Sequence, residues 1–245
     1  ALLNEQMSAA QFLNHPYGIP VIGWRHEMEK LSRKDALDFY QANYAPNNAI
    51  LVVAGDVQPE AVLALAKEYY GPVAPSDQIG PRDRPQEPPQ LAERRLVLSD
   101  ERVSEPYLIR SYLAPERNTG DQKEAAALAI LAQLLGGDPI NSVLAKSLQF
   151  DRKIAVWAAA GYDGTTVDPD TFSLYASPVP GTSLADLEAA MDEVIAKFLK
   201  DGPDAEQLAR IKTQIRASEI YARDDSGGLA RSYGQALAVG LTVKD

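Results

Sequence analysis

The chain has 245 residues, enough for one large domain or two modest ones, and its acidic residues outnumber the basic ones 34 to 24 for a formal net charge of −10. That balance, with no basic run, argues against a nucleic-acid or anionic-membrane surface. No apolar stretch is long enough to span a bilayer, and the lack of cysteine excludes disulfides and thiolate metal sites while saying little about compartment.

In chain order, Leu3 to Leu13 has helical periodicity, with Leu3, Met7, Ala10 and Phe12 or Leu13 on its inward side. It reads as a helix already in progress without an initiator methionine, so the start of the chain reads as cut. Pro16, Gly18 and Pro20 then break regular structure within HPYGIPVIGW. Ser32, three residues before Asp35, forms a capping-box pattern that starts a helix. Ala36, Leu37, Phe39, Tyr40 and Tyr44 recur along it at helical spacing, which predicts one buried side. Asn47 and Asn48 turn the chain into an apolar, β-branched run from Ala49 to Ala54, a predicted strand closed by Gly55–Asp56. Pro59 opens the next helix, which ends at Tyr69–Tyr70. Pro72, Pro75, Pro81, Pro85, Pro88 and Pro89 forbid regular structure and predict an extended connector between two lobes.

Beyond the connector, Arg94 to Ser99 and Tyr107 to Leu113 are predicted strands, and Asp121 to Leu135 an alanine- and leucine-rich helix stopped by Gly136–Gly137. A further helix runs from Pro139 to about Phe150. Ile154 to Tyr162 and Thr171 to Ser177 form a predicted hairpin with a long connection. Leu184 to Leu199 is amphipathic, and Ala205 to Ala222 and Leu229 to Leu241 are predicted helices. Strands followed by helices, without strict βαβ alternation, predict an α+β fold of antiparallel-rich sheets covered by helices.

The stretch from His15 to Tyr70 resembles the pitrilysin/insulinase family of zinc metallopeptidases, in its mitochondrial-processing-peptidase-like branch. The family pattern joins an HP-x-G-x-P-x-x-G segment, a helix of the type L-S-x-x-D-L-x-x-F-Y-x-x-x-Y and a P-x-N-x-x-L-x-V-x-G-D-V strand. The chain matches at His15, Pro16, Gly18, Pro20, Gly23, Leu31, Ser32, Asp35, Phe39, Tyr40, Tyr44, Pro46, Asn48, Leu51, Val53, Gly55, Asp56 and Val57. The second half follows the order of the family's second lobe more loosely. The resemblance implies residues 1–71 as the C-terminal part of an incomplete first lobe, 72–92 as a proline-rich linker, and 93–245 as the second, non-zinc lobe, cut short at its end.

The resemblance also implies zinc held by an H-x-x-E-H motif and a later glutamate, both upstream of Ala1 in the intact protein. This chain carries only His15 and His26 and lacks the motif. Glu5 lies too close to His15 to match the distant ligand and reads as a solvated helix residue, and His15 reads as holding its turn. No catalytic or metal-binding residue is therefore assigned, and no cofactor to this chain itself. The family's second lobe also grips peptide with an arginine and, seven positions later, a tyrosine. Alignment on Ser142, Leu144, Leu148 and Ala155 puts Gln149 and Val156 at those positions, which lack the charge and the hydroxyl. Arg231 and Tyr233, two apart on a helix, point to different sides and cannot substitute. Trp157 lines a cavity or packs in the core, and Asp224–Asp225 read as solvated.

The resemblance implies part of a zinc metalloendopeptidase subunit that hydrolyses peptides in an enclosed chamber. Alone it is expected to be inactive, working with a second family subunit that bears the Arg/Tyr pair or with another copy of itself. The alternative is a non-catalytic partner or scaffold subunit of the same family. The resemblance leans to a periplasmic address, with the cytoplasm as the other option.

Overall fold

The computed structural model describes residues 2–81 and 84–245, so Ala1 and the two expected linker residues Arg82 and Asp83 lie outside the described residues. The chain divides into two units, residues 1–98 with 225–238 and residues 99–224 with 239–245.

The first unit is helical, with α1 (Leu2–Gln11), a short turn α2 (Arg25–Met28), α3 (Arg33–Asn43), α4 (Pro59–Tyr70) and α8 (Ser226–Ala238). Ser32 starts α3 as predicted. Its Oγ accepts from Asp35 N at 3.3 Å, and Asp35 accepts in return from Ser32 N at 2.8 Å. The proline-rich segment straps the C-terminal end of α1. The Glu87 carboxylate accepts from Leu13 N and Asn14 N at 2.8 and 2.9 Å, and Gln90 Nε2 donates to Gln11 O at 2.8 Å. The Gln90 bond satisfies a carbonyl that the helix end leaves without an intrahelical partner, and the Glu87 bonds hold the chain just beyond it.

Two expectations for this unit fail. Ala49 to Ala54 and Arg94 to Ser99 are not strands, because among the described residues no strand lies beside either to complete a hydrogen-bond ladder. The predicted buried side of α3 is instead exposed, with Phe39 at 63 % and Tyr44 at 69 %. Tyr40 and Tyr44 cover only each other, their rings stacked with centroids 4.9 Å apart. Gln11, Phe12, His15 and Gly18 are the buried positions among the described residues of this unit.

The second unit holds the core. Strands β1 (Leu108–Ala114), β2 (Ala155–Tyr162) and β3 (Asp170–Pro178) form one antiparallel sheet in the order β1-β3-β2. The pairs Arg110↔Leu174 and Ala160↔Leu174 fix the register, and a bulge at Val156 interrupts β2. Alternation puts Phe172, Leu174 and Ala176 of β3 on one face, where the core lies. There they meet Leu187, Ala190, Met191 and Val194 from α6 (Leu184–Asp201), with Ala132 from α5 (Lys123–Ala132). This is the apolar face of α6 that its periodicity predicts, and α7 (Ala205–Ala222) follows it with the predicted bounds.

Arg110 pins β1 to α6 through Glu188 at 3.0 Å and through Asp192. Asp192 foremost, and Glu188, hold its guanidinium protonated well above the ordinary arginine range. The predicted helix from Pro139 begins instead at Val143, because Asp138 makes a turn ahead of it. Its Oδ1 accepts from Ile140 N and Asn141 N, both at 2.8 Å. The N–H of Asn141 foremost, then that of Ile140, lowers the Asp138 pKa from its ordinary value. A lowered folded pKa contributes stability above the unfolded value of ~3.9, lost as pH falls through the folded value. Urea titrations at pH 7 and pH 3 are therefore expected to lose less stability for Asp138→Asn than for wild type. An equal or larger acid loss in the variant contradicts this.

Candidate functional site

Two segments at the site depart from α geometry, Gln133–Gly137 at the end of α5 and Ala145–Asp151 before β2. Both are π-helical, with wider i→i+5 bonds such as Arg152 N to Ser147 O at 3.0 Å. The second segment is anchored by Leu148, fully buried in the core, and by Ile154 N donating to Leu148 O at 2.9 Å. Lys153, at φ 55°, lies in the left-handed region and turns the chain sharply into β2.

This geometry brings Gln149 and Val156 together. Gln149 Nε2 donates to Val156 O at 3.0 Å, and Gln149 Oε1 accepts from Ala158 N at 3.2 Å. One side-chain amide thus takes both a carbonyl and an N–H on the edge of β2 that faces away from β3. The Val156 side chain is 50 % exposed, and Trp157 at 37 % exposure stands outside the core cluster. In the sequence Gln149 stands out only for the charge it lacks. Nothing in a single sequence signals that its amide pairs with the backbone of the next strand.

The other sequence candidates lie apart in function. His15 Nδ1 accepts from Tyr17 N at 3.2 Å, and its buried ring sits edge-on to Tyr17 with centroids 4.4 Å apart. It caps the Pro16–Gly18 turn. His26 is exposed on α2. Among the described residues no three His, Cys, Asp or Glu side chains converge. A zinc ion finds no fitting donor set there, since such a site needs at least three protein ligands. Glu5 accepts from its neighbour Gln6 at 3.3 Å. Asp225 Oδ1 accepts from Gly228 N at 2.9 Å at the start of α8, and Arg231 and Tyr233 are exposed farther along that helix. Asp224 is likewise exposed.

The fold is shared with a crystal structure of a protease from Helicobacter pylori, at a TM-score of 0.82 and 24 % identity, over 97 % of this chain and 62 % of that one. That likeness shows the fold, an α+β arrangement shared along nearly the whole chain. The chain belongs to the family described as the peptidase M16 inactive domain, which it matches over residues 30–215. This agrees with the pitrilysin-type resemblance of the stretch from His15 to Val57. An uncharacterised zinc protease of Mycobacterium leprae is 27 % identical over 240 residues, covering 96 % of this chain and 51 % of that protein. A probable mitochondrial-processing peptidase subunit beta of Schizosaccharomyces pombe is 31 % identical over 72 residues, covering 29 % of this chain and 16 % of that protein. The chain spans about half the length of the curated relatives that it matches along most of its own length. Among the described residues no helix is long and apolar enough to cross a membrane.

Proposed function

We propose that this chain is part of a zinc-dependent metalloendopeptidase subunit that hydrolyses peptides in an enclosed chamber, and that it is inactive alone. The observation that carries the reading is the side-chain chemistry at Gln149 and Val156. Membership of an inactive-domain family fits a lobe that supports catalysis elsewhere. At the two positions where the family grips peptide backbone, this lobe offers an amide already bonded to its own strand and an alkyl group. Val156 has no donor, and the Gln149 amide is turned onto β2 and carries no charge, so the arginine-and-tyrosine grip is left to a partner. The partner is a second family subunit bearing the arginine and tyrosine, or another copy of the protein. Zinc belongs to the intact protein, on ligands outside these residues. A periplasmic address is part of the proposal.

The test uses the whole gene product, zinc analysis and a quenched fluorescent peptide. The 245-residue chain is expected to hold no stoichiometric zinc and to leave the peptide intact. The whole product alone is expected to cleave about 10² to 10³-fold more slowly than with an Arg/Tyr-bearing partner, the effect of missing oxyanion donors. Full-rate cleavage by the product alone overturns the partner requirement. A whole product that binds no zinc and cleaves nothing with any partner leaves the scaffold reading in its place.

A further inference from the structure

We propose that the cavity between the start of α5 and the turn after β2 binds a free α-amino acid, its carboxylate on Arg117 and its ammonium on Asp163. The site lies within the second unit, shares no residue with Gln149 or Val156, and stands independently of the peptidase reading.

The cavity measures about 360 Å³, at the small end of ligand pockets and room enough for one amino acid. Ala125, Ala126 and Ala129 give it an apolar lining without bulk, since α5 brings residues three and four apart onto one side. Tyr162, Asp163 and Thr165 line it from the end of β2 and the turn that follows. Arg117 N donates to Gly164 O at 2.9 Å and ties that turn to the segment before α5. Glycine suits the position, where a Cβ would stand 2.7 Å from Tyr162 Oη and 3.1 Å from Arg117 Cγ.

The polar groups are held in place but not used up. Arg117 Nε donates to Gln122 Oε1 at 2.7 Å, and Gln122 Nε2 donates in turn to Asn118 O at 3.0 Å, so the guanidinium is oriented. Its Nη2 has a long 3.5 Å contact to Asp245 O, and its Nη1 has no hydrogen-bond partner among the described residues. The Asp245 carboxylate accepts instead from Gly120 N at 3.0 Å and Thr242 N at 2.8 Å. The Nη1–Nη2 edge is thus left as the fork that a carboxylate takes with two parallel bonds. Asp163 spends Oδ1 on Thr165 N at 2.8 Å, and its Oδ2 is unpartnered among the described residues.

The Tyr162 hydroxyl registers both signs of charge. Burial foremost, then Glu116, Asp163 and Glu124, raise its pKa from the ordinary value, while Arg117 works the other way. A simple anion would meet those carboxylates, and a simple cation would meet Arg117. A zwitterion satisfies both. The occupant is therefore small, carries one charge of each sign and sets an apolar side chain against the alanines.

The experiment measures binding of L-leucine to the 245-residue chain by titration calorimetry. L-Leucinamide, which lacks the carboxylate, and N-acetyl-L-leucine, which lacks the ammonium and stands in for the end of a peptide, are titrated beside it. L-Leucine is expected to bind saturably and each analogue about tenfold more weakly, the effect of one charge-assisted hydrogen bond. Asp163→Asn is expected to weaken L-leucine about tenfold and leave N-acetyl-L-leucine unchanged, and Arg117→Gln to weaken L-leucine as much and leave L-leucinamide unchanged. Ala126→Leu, at an exposed position of α5, fills the cavity without removing a bond and is expected to abolish binding. No saturable binding of L-leucine, equal affinity for the three compounds, or full binding by Ala126→Leu overturns the proposal. Preference for N-acetyl-L-leucine overturns it too, and makes the occupant a peptide end. Should Arg117→Gln or Asp163→Asn not fold, Ala126→Leu and the two analogues on the wild-type chain decide. The titration uses no zinc, substrate peptide or partner subunit, so its failure and that of the peptidase assay are distinguishable.

Discussion

Gly136→Ala is expected to destabilise the second unit by ~3 kcal/mol or more, the upper range for overpacking against atoms that cannot yield. A Cβ at that position would stand 2.0 Å from Ala160 N, 2.3 Å from Ala159 C and 2.7 Å from Ala159 Cα. All three are backbone atoms of β2, which is hydrogen-bonded along its length to β3. Relief requires the end of α5 to move off the sheet, and that end carries Leu134 and Leu135, both buried. The adjacent glycine is the control. A Cβ on Gly137 would meet Gln133 Oε1 at 2.2 Å, but that atom is the tip of a flexible side chain that can rotate away. Gly137→Ala should therefore cost well under half as much. Urea unfolding read through Trp157, in a Trp24→Phe background so that the second unit reports alone, separates the two. Equal midpoints for both variants contradict the close-packing account.

Leu148→Ala should be the largest simple core loss, in the range of about 2–5 kcal/mol for a buried leucine whose cavity relaxes incompletely. Leu148 has no exposure and sits in the cluster with Leu144, Leu187 and Met191. Its neighbour on the same segment is Gln149, so loosening this anchor should also free the strand-edge amide. Two readings are expected from one variant, a lower urea midpoint and faster exchange at Ala158 under native conditions. Leu148→Met, which conserves volume, should cost less than ~1.5 kcal/mol. Leu199→Ala, 77 % exposed on α6, should be near neutral. A Leu148→Ala midpoint as high as that of Leu199→Ala would refute the assignment of Leu148 to the core.

Much of this architecture was legible in the residues. Pro59 and Tyr70 bound α4, Ser32 caps α3, and the apolar stripe from Leu187 to Val194 faces the sheet. These signals are local, so the sequence around them carries them whole. Ala49–Ala54 and Arg94–Ser99 were misread because strand character is completed by a neighbour, and β-branched residues do not provide one. The π-helical segments were invisible for another reason: an i→i+5 turn shifts the side-chain phase too briefly for periodicity to register. At the site, the resemblance singles out Gln149 and Val156 only for what they lack. What Gln149 does depends on a backbone seven residues away whose placement only the folded hairpin supplies.

Helix α8 follows residues 99–224 in sequence but belongs with the first unit, its Gly234 lying beside Val52. The first unit is thus built from two separated pieces, with residues 99–224 inserted between them. For an unfolded insert, bringing those pieces together means closing a very long loop, at an entropic cost that grows with the logarithm of its length. Once the insert has folded about its own sheet, its two ends are fixed points and most of that cost is already met. Order of assembly follows from connectivity alone: the inserted unit should gain protection from exchange first, and α8 should dock last.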